Sequence, residues 1–478
     1  MAVGSSNSFD LIVLGAGTGG YSTAFRAAQM GLRTALVEQA RIGGTCLHWG
    51  CIPTKAMLES ADLYARIREA TAFGLTVGET GVDMGTIAKR RTQVVERLTK
   101  GLMGLVAKNE VEFVAGRGVL ERPTSVRVAL NGEDGTPGGG GERLLDATDV
   151  VLATGSRVKS LPGLVPDGRH IVTSDDVLRS RTLPRSVIVV GAGAVGVEFA
   201  SFYRDMGAEV TLLEYLPSVV PLEDAEVGQV LERAFRRRGI AVVTSARFDP
   251  SAVTVVDGEV RVTVGPEGKE PKELRAEMML VATGRAANVE GIGLERTRAV
   301  IERDVVRVDG HMRTGEPHLY AIGDLVGGLL LAHVAAHEGI TAVETICGLD
   351  PEPVDYTIMP RATYCRPQIA SIGRSEQELQ RDDVPFKAGR FPWTANGKAI
   401  IGGEHDGFVK VLAHAETDTV LGVHMIGPHV TDLVAEASVG MLLETTAWEL
   451  AAAVHPHPTL SEAIGEAAMA VAGRSINV

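Results

Sequence analysis

The chain has 478 residues, 45% of them hydrophobic but only 4% aromatic, which provides for about two to four domains with aliphatic, alanine-rich cores. Its net charge of −13 argues against nucleic acid as a partner, because phosphate binding calls for a basic surface. No apolar run reaches the roughly 20 residues of a membrane span, and residues 1–30 show no secretory signal, so a soluble cytoplasmic protein is expected.

After a short polar lead at residues 1–8, residues 9–14 form an apolar run with strand character. They lead into Gly15-Ala16-Gly17-Thr18-Gly19-Gly20 and a helical stretch, residues 21–30. A second strand, residues 34–37, ends at Glu38. This is a dinucleotide-binding fingerprint in its proper context. Gly15, Gly17 and Gly20 allow the turn and the close backbone approach. The helix start holds a pyrophosphate, and the acid binds a ribose hydroxyl.

Close behind come Gly43-Gly44-Thr45-Cys46-Leu47-His48-Trp49-Gly50-Cys51-Ile52-Pro53-Thr54-Lys55. Half of the four cysteines lie in this segment. Residues five apart in a regular helix rise about 7.5 Å along its axis. A bridge between Cys46 and Cys51 therefore needs distorted backbone, for which Gly43, Gly44 and Gly50 provide freedom. Pro53 suits a first helical position, so a helix is expected to start near it. Cys51 would then lie near a helix N-terminus, where a thiolate is stabilised and reactive, and Lys55 adds positive charge. The pair is open to three readings at this point: a static bridge, a metal site, or a disulfide that cycles with a dithiol. No second Cys or His pair has zinc-like spacing, and Cys347 and Cys365 stand alone.

Residues 131–142 are glycine-rich and read as a loop between strands. Residues 150–155 form a strand ending in a tight turn at Thr154-Gly155. The fingerprint then repeats: a strand at 186–190, Gly191-Ala192-Gly193-Ala194-Val195-Gly196, a helix through Met206, and a strand at 209–213 ending at Glu214. A carboxylate there accepts from a ribose diol and repels a 2′-phosphate, and residues 215–218 offer no basic group, so NAD is favoured over NADP. Residues 280–285, with Gly284, close the second unit as 150–155 close the first. A strand at 319–322 ends at Asp324, and a helix follows over 332–347. From about 355 the pattern becomes α+β, with strands at 369–373, 407–412 and 420–426 and a helix at 432–443.

Near the end stand His455-Pro456-His457-Pro458-Thr459-Leu460-Ser461-Glu462. His457 precedes a proline and should be extended, with Pro458 opening a helix. The helix dipole disfavours an imidazolium and Glu462 favours it, so His457 is a candidate general acid/base. On local sequence alone, a plain surface histidine beside a helix cap fits better. His455 shows no comparable partner and reads as structural.

In this order, residues 15–20, 44–55, 153–155, 191–196, 282–285, 321–324, 331–333, 396–399, 420–428 and 457–462 resemble the flavin disulfide reductases of the pyridine-nucleotide type. Within that family they are most similar to the dihydrolipoamide dehydrogenases. The resemblance implies an α/β fold with two Rossmann-like domains, for FAD and NAD, plus a C-terminal α+β dimerisation domain. The implied division is 1–155 (FAD, first part), 156–284 (NAD), 285–354 (return to the FAD domain) and 355–478 (interface). FAD would be held by Gly15, Gly17, Gly20 and Glu38, by Gly44, Thr45, Thr154 and Gly155, and by Asp324, Leu331 and Ala332. NAD would be held by Gly191, Gly193, Gly196, Glu214 and Gly284, with Glu198 beside the nicotinamide.

In the same resemblance Cys51 is the sulfur next to the flavin, Cys46 exchanges with substrate, and Lys55 lies near the flavin nitrogen. His457 and Glu462 form an acid–base dyad contributed by the other subunit of a homodimer. The implied activity is oxidation of dihydrolipoamide, carried on a lipoyl domain of a 2-oxoacid dehydrogenase or glycine-cleavage complex, with reduction of NAD. No lipoyl domain is seen in the chain itself.

Three features depart from the family pattern: His48-Trp49 between the cysteines, Pro456 between the histidines, and Tyr364-Cys365-Arg366-Pro367-Gln368. Reductases of glutathione, mycothiol or trypanothione disulfide share the cysteine pair and the dyad. Residues 459–462 and Glu214 weigh against them. A mercuric reductase would need a terminal cysteine pair that residues 475–478 lack. A low-turnover flavoprotein scaffold in a multienzyme complex is the alternative of another class, and the intact Cys46, Cys51, His457 and Glu462 weigh against it.

Overall fold

The computed structural model describes residues 7–266 and 270–478; most of the polar lead lies outside the described residues. The chain divides into two compact units. One comprises the described residues up to Ala56, Ala88–Val158 and Arg285–Val354, and the other comprises Met57–Ile87, Lys159–Gly284 and Asp355–Val478.

The first unit is built on a parallel sheet. Its strand order is Glu112–Arg122, Thr34–Glu38, Ser8–Leu14, Glu142–Leu152 and Leu319–Ala321. Strand Ser125–Leu130 pairs antiparallel with both long strands, and residues 131–141 join it to the second of them. Leu11, Ile12 and Val13 are fully buried, as the unbroken apolar run requires of a parallel strand covered on both faces. Helices Thr18–Gln29 and Ala332–Ile346 lie against each other, tied at the rim by Arg26 and Glu344.

Beside a smaller antiparallel sheet of strands Ala246–Arg247, Thr254–Val256, Glu259–Pro266 and Lys272–Ala276, two five-stranded sheets organise the second unit. The parallel one runs Ile240–Val243, Glu209–Leu213, Ser186–Val190, Met278–Val281, Ile171–Thr173. The antiparallel one runs Arg361–Thr363, Gln368–Gly373, Val420–Gly427, Phe408–His414, Phe386–Pro392. Helices Val430–Leu442 and Glu462–Val471 cover the antiparallel sheet around the fully buried Trp393, whose indole N–H donates to the Ile426 carbonyl at 2.7 Å. The elements expected at 407–412, 420–426 and 432–443 are thus present as Phe408–His414, Val420–Gly427 and Val430–Leu442, with ends displaced by at most two residues.

A row of polar side chains crosses this sheet, with Ser371, His424 and Lys410 opposite one another on three strands. Lys410 is fully buried, and its Nζ donates to Asp224 at 3.0 Å and Glu226 at 3.1 Å and also meets Glu376. Asp224 caps helix Ala225–Arg237, so the row ties that helix to the antiparallel sheet. Removing one member of such a buried ionic set leaves an uncompensated charge.

His424 is also fully buried. Its Nε2 lies 2.9 Å from the Arg374 carbonyl, and its Nδ1 has no partner. Asp224, Glu223 and Arg361 are the charged groups whose fields reach it, and Lys410 adjoins it across the strands. Burial pushes the imidazole pKa down, with Asp224 opposing. The unfolded chain then binds a proton that the folded chain does not. Stability is retained above the ordinary histidine value and falls as pH drops below it. In thermal unfolding between pH 7 and pH 5, His424→Gln is expected to flatten this dependence by up to ~1.4 kcal/mol per pH unit. An unchanged slope would assign the dependence to other groups.

Candidate active site

The two fingerprints fold alike. At Gly15, with φ of +106°, a Cβ would lie 2.3 Å from the Ala153 carbonyl oxygen, and at Gly20 it would lie 1.8 Å from that of Gly15. At Gly191 and Gly196 the corresponding distances are 2.5 Å to the Ala282 oxygen and 1.8 Å to the Gly191 oxygen. These four positions exclude a side chain because strand, turn and helix touch there. By contrast, a Cβ at Gly17 or Gly193 would meet nothing within 4 Å. Those two glycines begin helices Thr18–Gln29 and Ala194–Asp205, and neither helix has a side-chain cap. Helix Ala332–Ile346, begun by Leu331, also has none. Open space over uncapped N–H groups is what a pyrophosphate requires, so both cradles fit a dinucleotide.

The acids at the strand ends are held in place. Glu38 accepts from Ala16 N–H at 2.8 Å and from Ala40 N–H at 2.7 Å. Burial pushes its carboxyl pKa up, and these bonds oppose the rise. Glu214 is arranged likewise, accepting from Ala192 N–H at 2.6 Å and Leu216 N–H at 2.8 Å. Buried Glu198 accepts from Tyr364 N–H at 2.9 Å, which brings the divergent 364–368 segment against the second fingerprint helix. In the first unit Asp324 accepts from the Ser156 hydroxyl, and Arg285 lies 3.6 Å away. Thr154 is clamped by Asn288, donating from its hydroxyl at 3.0 Å and accepting at its carbonyl at 2.9 Å. Gly155 and Gly284 both take positive φ, and a Cβ at either would meet nothing within 4 Å. Gly44 approaches Gly17 so closely that its Cβ would lie 2.8 Å from the Gly17 Cα. Thr45, next to Gly44, opens helix Gly44–Trp49 with it.

The cysteines lie on two helices, as their spacing demands. Helix Gly44–Trp49 carries Cys46, and helix Cys51–Glu69 begins with Cys51. Gly50 breaks the run at φ −146°, ψ −117°. The second helix begins two residues before the expected Pro53. Its first turn is closed by Thr54, which donates to the Gly50 carbonyl from its N–H at 3.1 Å and its hydroxyl at 2.7 Å. Proline is tolerated in that turn because its missing N–H has no partner within the helix. Cys51 therefore lies at the positive end of the helix rather than merely near it.

Both cysteines are thiols in this structure. The hydrogen bond to Cys51 is the largest influence pushing the Cys46 pKa far up, followed by burial; the Thr18 hydroxyl and Lys55 pull it down. The interaction between the two sulfurs therefore favours the protonated form of Cys46. Sequence reasoning missed Thr18 and Tyr21. Thr18 bonds to both Cys46 and Tyr21, and burial pushes the Tyr21 phenol up. They stand one turn apart on the first fingerprint helix, and only folding brings that turn against residue 46. His48 has partners of its own, with Nε2 2.8 Å from the Ile42 carbonyl and its ring 5.3 Å from that of Trp49.

At the C-terminal end, His457 Nδ1 lies 2.8 Å from Glu462 Oε1, and Glu462 Oε2 accepts from Thr459 N–H at 2.8 Å. Helix Glu462–Val471 begins at Glu462, not at the expected Pro458. Thr459 and Ser461 hydrogen-bond to each other within a turn before it, which delays the helix. The dipole therefore acts on Glu462 directly. Burial tends to raise the Glu462 pKa, but the Thr459 N–H and His457 outweigh it and hold the carboxyl below the usual range. The His457 side chain is 78% exposed, leaving its ring open to solvent beyond the Nδ1 bond.

His455 corrects the sequence reading. Its Nε2 lies 2.7 Å from Glu436, so it too has a carboxylate partner. That partner comes from helix Val430–Leu442, which no local pattern could show. At 11% exposure, the His455 side chain is packed rather than presented. Among the described residues, no helix is long and apolar enough to cross a membrane, and no cluster of three or more His, Cys, Asp or Glu side chains could hold a metal.

Residues 9–339 match the family described as pyridine nucleotide-disulphide oxidoreductase, and residues 359–468 match its dimerisation domain. The chain is 45% identical to a dihydrolipoyl dehydrogenase of Bacillus subtilis, over 98% of this chain and 99% of the relative. It is 42% identical to one of Zymomonas mobilis, again over 98% of this chain and 99% of the relative. The crystal structure of LpdA from Mycobacterium tuberculosis superposes with a TM-score of 0.87 at 28% identity, covering 96% of this chain and 98% of that one.

Proposed function

The chain belongs to the pyridine nucleotide-disulphide oxidoreductase family, and we propose that it oxidises dihydrolipoamide to lipoamide and reduces NAD to NADH through Cys46 and Cys51. The observation that carries this reading is the Cys46–Cys51 pair, hydrogen-bonded across the Gly50 break and backed by Thr18 and Lys55. The enzyme is a flavoprotein oxidoreductase using FAD and NAD, and its dimerisation domain makes it a homodimer.

The sulfur chemistry follows from the chain's own groups. His457 of the partner subunit, held at Nδ1 by Glu462 of the partner subunit, takes a proton from one substrate thiol. The resulting thiolate attacks the Cys46 sulfur of the disulfide form, and Cys51 leaves as a thiolate at its helix N-terminus. The second substrate thiol then attacks the first substrate sulfur, breaking its bond to Cys46 and closing lipoamide. Its proton passes to the departing Cys46 sulfur, as the raised Cys46 pKa favours, and the first proton stays on His457 of the partner subunit. FAD, when bound, would supply the acceptor for the dithiol's electron pair and the hydride donor for NAD. Gly15, Gly17, Gly20, Gly44, Thr45 and Glu38 would hold FAD together with Thr154, Gly155, Asp324, Leu331 and Ala332. Gly191, Gly193, Gly196, Glu214 and Gly284 would hold NAD, with Glu198 toward its nicotinamide.

The same reading makes residues 1–155 and 285–354 the FAD domain, 156–284 the NAD domain and 355–478 the interface. It places the enzyme in the cytoplasm, acting on a lipoyl domain of a 2-oxoacid dehydrogenase or glycine-cleavage complex. Steady-state assays test it. Turnover of dihydrolipoamide with NAD should exceed reduction of glutathione or mycothiol disulfide by NADH or NADPH. Faster turnover of either small disulfide would replace the substrate assignment.

A further inference from the structure

The second nucleotide unit contains a cation beside its ribose-binding acid that the local sequence does not reveal. Residues 215–218 carry no basic side chain, yet Arg247 reaches this place from strand Ala246–Arg247. Its guanidinium carbon lies 3.7 Å from the centre of the Tyr215 ring, and its Nη1 donates to the Tyr215 carbonyl at 2.6 Å. Two backbone bonds hold that strand against the segment after Glu214: Ala246 N–H to the Glu214 carbonyl at 2.8 Å, and Ser245 N–H to the Leu216 carbonyl at 2.9 Å. Tyr215 remains 65% exposed beneath its cation.

The opposing charge is equally fixed. Both Glu214 carboxylate oxygens accept from backbone, one from Ala192 N–H and the other from Leu216 N–H, and the residue is 8% exposed. The Glu214 carboxylate and the guanidinium stacked on the next residue, Tyr215, therefore mark one corner of this unit. A 2′-hydroxyl satisfies the anion. A 2′-phosphate is repelled by it, although a guanidinium suited to bind phosphate stands next to it.

We propose that Arg247 is a specificity-determining residue of this site: with Tyr215 it forms a cationic stacking plate for the adenosine end, and Glu214 alone keeps a 2′-phosphate from it. The selectivity is a difference between two fixed charges, so removing one exposes the other. The inference rests on the reading of this unit as the NAD site.

Calorimetric titration of the FAD-loaded dimer with ADP-ribose and 2′-phospho-ADP-ribose tests it without any redox step. Arg247→Ala should weaken ADP-ribose binding about tenfold, because the adenosine loses a stacked cation. Glu214→Ser should shift preference toward the 2′-phosphorylated ligand by about tenfold or more, and the double variant should lose that gain. Unchanged ADP-ribose affinity in Arg247→Ala, or a gain that survives in the double variant, overturns the proposal. Should Glu214→Ser bind neither ligand, the Arg247→Ala titration decides alone. An unaltered enzyme that fails to bind ADP-ribose would instead overturn the NAD reading itself, and the inference with it.

Discussion

Cys46→Ser and Cys51→Ser are each expected to lower dihydrolipoamide oxidation on the order of 10⁵-fold, because one sulfur cannot form the disulfide that substrate must open. The two variants should differ in their spectra. Cys51 begins a helix, where the dipole and Lys55 favour a thiolate. With Cys46 removed, Cys51 has no disulfide partner, and the FAD-loaded protein should show long-wavelength absorbance from a thiolate against the flavin without any reductant. Cys51→Ser should show none, even after NADH. The unaltered enzyme should gain the band only on titration with NADH. Equal spectra in the two variants would overturn the division into an inner sulfur at 51 and an outer one at 46. Absence of the band in the reduced unaltered enzyme would overturn the disulfide-reductase mechanism as a whole.

His457→Gln is expected to lower kcat/KM for dihydrolipoamide by about 10²- to 10⁴-fold, the range associated with a general base. Glu462→Gln keeps a hydrogen-bond acceptor near Nδ1 but removes the charge that favours the imidazolium, so its loss should be smaller. The Glu462 carboxyl is itself held below the usual range. For stability the sign is that of a depressed acid: its contribution is present above the unfolded carboxyl value and is lost as pH falls through the lower folded value. Because His457 and Glu462 work as one unit, the double variant should be little worse than His457→Gln. His455→Gln provides the contrast. Its Glu436 pair is packed, so it should lower the melting temperature and leave kcat/KM in place. A kcat/KM lowered by His455→Gln and not by His457→Gln would reverse the assignment of the two histidines.

Much of this architecture is legible in the chain because it is local. The strand–glycine turn–helix–strand–acid pattern at 9–38 and 186–214 is fixed by steric demands within a few residues. At Gly20 and Gly196 a side chain would lie within 2 Å of a carbonyl oxygen, at 1.8 Å in both cases. The broken backbone between Cys46 and Cys51 follows from helix geometry, and Gly50 breaks it as required. Helix starts are less legible. Pro53 and Pro458 are both acceptable first residues, yet the helices begin at Cys51 and Glu462. There, side-chain bonds from Thr54, Thr459 and Ser461 outweigh proline preference, and such bonds depend on the turn actually formed.

The sequence by itself determined the two nucleotide cradles, the cysteine pair and the His457–Glu462 dyad: the pair and the dyad are made by residues within one or two turns of each other, and the glycine turn and acid of each cradle lie on one continuous strand–turn–helix–strand stretch. Tertiary structure alone decided their partners. Thr18 and Tyr21 reach Cys46, Glu436 reaches His455, and Arg247 reaches Tyr215. Lys410 and His424 form a buried row with the cap of a distant helix. Local pattern is set by backbone sterics that any stretch of chain must obey. The partner of a charged or polar side chain is set by which surfaces pack together, and the desolvation that makes such a partner necessary exists only after they have packed.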